Sequence, residues 1–138
     1  MRNMTGTGHR ARWILISGDA LVVLLTSLAG FAQHGELATA GPGRVAATVV
    51  PFALAWFASA PWLGCFDLGR MVRPSNLWRV PAAAVLAAPL GAVLRGLWLR
   101  APVLPIFAIV MAAVLGAALL AWRALAARLL RPSLPTPG

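Results

Sequence analysis

Four apolar runs, at 13–32, 45–66, 80–99 and 103–122, alternate with short polar segments along this chain. Each is long enough to cross a hydrocarbon core of about 30 Å as a helix. The runs are continuous and do not alternate in ten-residue strands, which excludes a β-barrel. In lipid each span must satisfy its own backbone. The pattern therefore predicts an all-α polytopic membrane protein, a bundle of four transmembrane helices. Pro51, Pro61 and Pro89 fall inside the second and third runs and predict kinks, since neighbouring helices can re-satisfy the freed carbonyls. The link RAPVLP, residues 100–105, is a tight turn in which Pro102 and Pro105 suit a helix start. The third and fourth spans are thus expected as an antiparallel hairpin.

The arginines between the runs set an orientation. Arg2, Arg10, Arg12, Arg70, Arg73, Arg79, Arg123, Arg128 and Arg131 lie on one side, against Arg44, Arg95 and Arg100 on the other. This positive-inside bias places both termini in the cytoplasm and the protein in the cell membrane. Trp13, Trp62, Trp78, Trp98 and Trp122 lie near span ends, where indoles prefer the interface, while Trp56 is mid-span. The organisation expected is a basic cytoplasmic tail (1–12), a transmembrane domain (13–123), and a basic then proline-rich tail (124–138), disordered beyond Arg131. The first span has a basic flank and a small-x-small triplet at Gly30-Phe31-Ala32, as a cleaved signal would. Its length and its internal Asp19 favour a retained helix.

Composition agrees with the pattern. A chain of 138 residues with a hydrophobic fraction of 60% and a mean hydropathy of +0.82 is too apolar for a soluble domain of this size. The net charge of +9 would suit nucleic acid if the arginines formed one stripe with interleaved aromatics. They flank apolar runs instead, so the expected partner is the bilayer and not nucleic acid. One cysteine and two histidines exclude a structural Cys/His zinc site. GTGHR at 6–10 has neither the preceding strand nor the lysine of a phosphate cradle, and no cofactor or metal is expected.

The polar residues inside the runs are few. Asp19 lies about 9 Å below the interface at 1.5 Å per residue, where an aspartate costs about 2.5–3.5 kcal/mol at the centre of a span. It should face the bundle, and Asp19, Thr26, Gly30 and Gln33 fall on one helical stripe. Its candidate roles are an ion pair with Arg123 or Arg79 that fixes helix register, or a proton or cation site. Arg95 lies about 6 Å below the opposite interface, at the end of the i+4 strip Ala87, Gly91, Arg95. The preceding outer link supplies His34 and Glu36. A His34–Glu36–Arg95 cluster can recognise a headgroup, an anion or a proton, or serve as scaffolding from which the arginine snorkels. Ala113, Ala117 and Ala121, beside Gly116, mark a closely packed face of the fourth span, either within the bundle or against another subunit. Ser17, Ser27, Ser59 and Cys65 have no histidine near them in sequence, so an enzyme is not expected.

These residues fall into a recognisable order: Gly18-Asp19, His34-Gly35, Pro51-Phe52 with Trp56, Leu94-Arg95, and Trp122-Arg123. In that order and spacing the chain resembles, over residues 13–123, a family of small four-helix membrane proteins of bacteria and haloarchaea known as a domain of unknown function. The resemblance implies a four-helix integral membrane protein and lends no activity. The expected role is a non-catalytic membrane component, such as a subunit of a larger assembly or a homo-oligomer. The alternative is an oligomeric small-solute or proton-coupled transporter using Asp19 and the His34/Glu36/Arg95 cluster. The absence of an inverted repeat counts against that alternative, and the cramped interior of four short helices would need oligomerisation or a partner to ease it.

Overall fold

The computed structural model describes residues 4–36 and 38–130. It contains four long helices, α1 (Met4–Gln33), α2 (Pro42–Ser59), α4 (Arg79–Leu99) and α5 (Pro105–Leu130), and one short helix, α3 (Leu68–Met71). Strands are absent among the described residues. The four long helices are long and apolar enough to cross a membrane, and the protein is an integral membrane protein. Large apolar side chains such as Leu21, Leu54, Leu86, Leu97, Ile109 and Leu129 face outward, whereas Asp19, Thr26, Ser27, Thr48 and Arg123 are buried. A polar interior wrapped in leucine is stable only where the surrounding solvent is itself apolar.

The helix ends differ from the sequence expectation. The first helix begins at Met4 and the last runs to Leu130, so most of the expected N-terminal tail and residues 124–130 are helical. Arginines near helix ends do not oppose helix, and short polar flanks can continue a turn already propagating from the apolar segment. The second run stops being α-helical at Ser59. Pro61 sits in a tighter 3-10 turn, Ala60–Leu63, instead of kinking a continuing helix. The expected disorder beyond Arg131 lies outside the described residues.

Buried positions recur every four residues. One row in α1 is Ala11, Leu15, Asp19, Val23, Ser27 and Phe31, with Thr26 beside it; one in α5 is Met111, Leu115, Leu119, Arg123 and Ala127, with Gly116 and Ala126 beside it. Rows at i±4 are the ridges of the commonest helix-packing class. On a helix of 3.6 residues per turn such a row winds about 40° per step. This winding explains two departures from expectation. Gly30 shares a straight stripe with Asp19, but by that level the buried row has turned to Phe31. A Cβ on Gly30 would meet nothing within 4 Å. Ala113, Ala117 and Ala121 are each offset by two positions from the buried row of α5, about 200° around the helix, and they are exposed. Gly30, Ala113 and Ala117 therefore do not pack the interior of the bundle.

The helix that packs most closely is α4, which lies between α2 and α5, while α1 rests on α5 and α2. Its buried face is Ala83, Ala84, Ala87, Ala88, Gly91 and Ala92, small enough for neighbouring backbones to approach. Phe52 of α2 presses its ring onto Gly91, where a Cβ would come within 2.6 Å of the ring, and Gly116 of α5 rests against Ala84. The α4–α5 hairpin closes as expected. Arg100 takes a left-handed conformation at the end of α4, and α5 begins at Pro105.

Two glycine substitutions separate these environments. Gly91→Ala should lower stability by about 1–3 kcal/mol, because the Phe52 ring must leave its seat. Gly30→Ala should be neutral or stabilising by up to about 1 kcal/mol, because helix propensity rises and nothing clashes. Thermal unfolding of both variants in the same detergent measures the difference, and equal losses would contradict the packing described.

Candidate functional site

Two polar centres sit inside the bundle, one toward each end. The first is built on Asp19, fully buried on α1. Arg123 of α5, 1% exposed, meets it as a fork: Nε donates to Oδ1 at 2.9 Å and Nη2 to Oδ2 at 2.6 Å. Trp56 of α2 donates its indole Nε1 to Oδ2 at 2.9 Å. The remaining guanidinium nitrogen, Nη1, donates to the carbonyl of Cys65, and the Phe66 ring lies 5.2 Å from the guanidinium carbon. Both carboxylate oxygens and all three guanidinium nitrogens thus have partners, which is the condition for burying an ion pair without a large desolvation penalty.

Local structure aims each of these groups. Gly64, at φ 69°, closes the 3-10 turn with a left-handed residue, a conformation favourable to glycine, and the chain then delivers the Cys65 carbonyl to Arg123. Beyond it, Asp67 caps α3 by accepting from the Arg70 amide at 3.3 Å and also pairs with Arg70 Nε at 3.1 Å. Trp122, the residue before Arg123, lays its indole on Gly18, the residue before Asp19, where no Cβ could fit. The expected interfacial position of Trp122 is therefore only partly met, because its ring is turned into the α1–α5 seam. This contact escaped sequence reasoning. The adjacent dipeptides Gly18-Asp19 and Trp122-Arg123 were its only signal.

Of the two arginines considered for Asp19, Arg79 is committed elsewhere. Its Nη1 donates to the Leu63 carbonyl at 3.1 Å, and its guanidinium lies over Trp78. Cys65 is buried beside it and donates from Sγ to the Arg79 carbonyl at 3.6 Å. Burial pushes the Cys65 thiol from an ordinary 9.0 up to about 11, with the neighbouring Arg123 guanidinium pulling the other way.

The second centre surrounds Arg95. Its Nε donates to Thr48 Oγ1 at 3.0 Å, Thr48 in turn donates to the Arg44 carbonyl at 3.3 Å, and the guanidinium lies over the Phe107 ring at 5.0 Å. Glu36 does not join Arg95. It pairs at 3.5 Å with Arg44, both groups roughly half exposed, a contact worth little in stability. His34 is exposed and shares with Arg95 and Glu36 the wall of a cavity of about 200 Å³. Gly30 and Gln33 also line this cavity, which accounts for the polar end of the stripe predicted on α1. Among the described residues no group of three His, Cys, Asp or Glu side chains could hold a metal ion.

The family described as protein of unknown function (DUF3054) matches residues 16–126, most of the chain, and the chain belongs to that family. No curated protein and no solved structure matches it.

Two measurements test the Asp19 centre. Asp19→Ala and Arg123→Ala should each cost about 3–5 kcal/mol, because each strands a buried charge, and the double variant should cost well below their sum. A double-mutant cycle of unfolding in detergent reads the coupling; additive losses would refute it. Arg123→Lys should not restore the wild-type value, since an ammonium cannot fork. Cys65 should resist maleimide at pH 8 in the folded protein and label rapidly after denaturation. The raised pKa also means that folding favours the neutral thiol. That contribution is whole below the unfolded value near 9.0 and is lost as pH rises toward 11.

Proposed function

We propose that this member of the DUF3054 family is a non-catalytic component of the cell membrane, a subunit or assembly element of a larger complex or homo-oligomer, with both termini cytoplasmic. The observation that supports this reading most is the closure of the Asp19 centre. Its carboxylate is fully buried, and both oxygens accept from Arg123 or Trp56. A proton or cation relay needs a carboxylate that exchanges partners, whereas this one is held as a structural pair would be.

Two further observations agree. Ala113, Ala117 and Ala121 present small side chains on the outer face of α5, where a helix of another chain can approach closely. Among the described residues, Ser27 donates to the Val23 carbonyl and Cys65 to that of Arg79, while His9 accepts from Trp13, so these side chains are not paired as nucleophile and base. The transporter reading draws support from the cavity at Arg95, although Asp19 does not line it.

Native mass spectrometry of the protein gently extracted from its own membrane tests the proposal. A higher-mass assembly is expected for the wild type, reduced at least tenfold by Ala117→Leu with the fold unchanged. A monomer free of other proteins would sink the assembly reading. Proton or solute flux in liposomes that disappears in Asp19→Asn, with the bundle still folded, would favour the transporter.

A further inference from the structure

Arg123 and Arg95 stand at the two polar centres of this bundle, and they are provided for differently. Arg123 has a carboxylate of its own chain and a partner for every nitrogen. Arg95 has one hydrogen bond, from Nε to the neutral hydroxyl of Thr48. Neither of its Nη nitrogens has a hydrogen-bond partner among the described residues, and the nearby acid, Glu36, is paired to Arg44. The guanidinium is turned inward over Phe107, against the wall of the 200 Å³ cavity. A part-buried guanidinium with two free nitrogens, facing the Arg44 cation as well as Glu36, is placed to form charge-assisted hydrogen bonds with an anion in the cavity.

The rest of the wall narrows the chemistry. Thr26, 9% exposed, brings to the cavity a hydroxyl with no hydrogen-bond partner among the described residues. Ser27 donates its hydroxyl proton to the Val23 carbonyl, which leaves its oxygen able only to accept. Gln33, His34 and Glu36 form its polar end, where the Glu36 carboxylate is held by Arg44, and the remaining surface is mainly apolar, with Phe31, Met111 and Val114 among it. Ala29 of α1 and Val110 and Val114 of α5 line the cavity and are themselves exposed, as are Gln33 and His34 at its polar end, so the cavity is open and carries an apolar border on α1 and α5. A volume of this size admits a headgroup and the first carbons of a chain; it is below the range of about 300–1,000 Å³ of sites that enclose a whole drug-sized ligand.

We infer that the Arg95 cavity binds the acidic head of a membrane amphiphile, a phosphate or carboxylate held by the free Nη groups of Arg95 and the Thr26 hydroxyl, with its apolar chain leaving over the apolar border on α1 and α5. The site is independent of whether the protein is a subunit, since Ala117 and the Asp19 centre take no part in it.

The test is lipid retention, read by native mass spectrometry after reconstitution into vesicles of equal phosphatidylglycerol and phosphatidylcholine. The wild type should retain phosphatidylglycerol selectively. Arg95→Gln should lower that retention about tenfold or more, as loss of a charge-assisted contact does. Gly30→Leu keeps Arg95 but fills the mouth of the cavity, at a position where a Cβ meets no neighbour, and should lower retention with the melting temperature preserved. Equal retention of the two lipids, or retention unchanged in both variants, would overturn the inference. Palmitate competing with the lipid would assign the site to acidic heads in general, and failure to compete would assign it to the phospholipid phosphate. Inorganic phosphate competing as well as either amphiphile would overturn the role of the chain.

Discussion

The fork between Asp19 and Arg123 joins the first helix to the last, and the remaining packing is arranged so that it can form. A carboxylate and a guanidinium inside an apolar solvent are tolerable only together, and only with their other hydrogen-bonding positions filled. Trp56 reaches in from α2, and the Cys65 carbonyl comes from the connection that follows it. One polar centre thus gathers groups from α1, α2, the 60–78 connection and α5. Hydrophobic burial cannot fix helix rotation when lipid is as apolar as the core, whereas a pair that is satisfied in one arrangement and stranded in others can.

Close packing supplies the second constraint, and it works through short residues. Gly18 receives the Trp122 ring one residue before the fork, and Gly91 receives Phe52 one turn before Arg95. Phe52 then meets Phe107 edge-on, and Phe107 supports Arg95. Each polar centre therefore has an aromatic side chain seated on a glycine beside it. The alanine face of α4 keeps α2 near enough for the Gly91 seat to close.

The number of helices, the membrane class and the residues worth attention were readable from the chain, because run length and the cost of a charge in lipid are properties of composition. Which way each helix faces was much less readable. In water an exposed face is polar and betrays itself, but here both faces of α5 are apolar, and the outward Ala113 and Ala117 look no different in sequence from the inward Leu115 and Leu119. The choice between Arg79 and Arg123 for Asp19 depended on that same rotation. So did the mistaken placement of Gly30, since a straight stripe and a winding one diverge by the third turn. Glu36 illustrates a different limit: its nearness in the outer link to both Arg44 and Arg95 left the pairing to loop geometry, which composition does not encode.

The two halves of the buried pair are 104 residues apart in the chain. During synthesis, α1 is complete long before α5 exists, so its carboxylate has no arginine to meet when the first helix reaches the bilayer. Until the last helix is made, Asp19 must remain near the water interface or borrow another donor, with Trp56 the first native one to arrive. The bundle consequently cannot lock helix by helix as it is threaded into the membrane; its final register is set when the last span enters and supplies the missing cation.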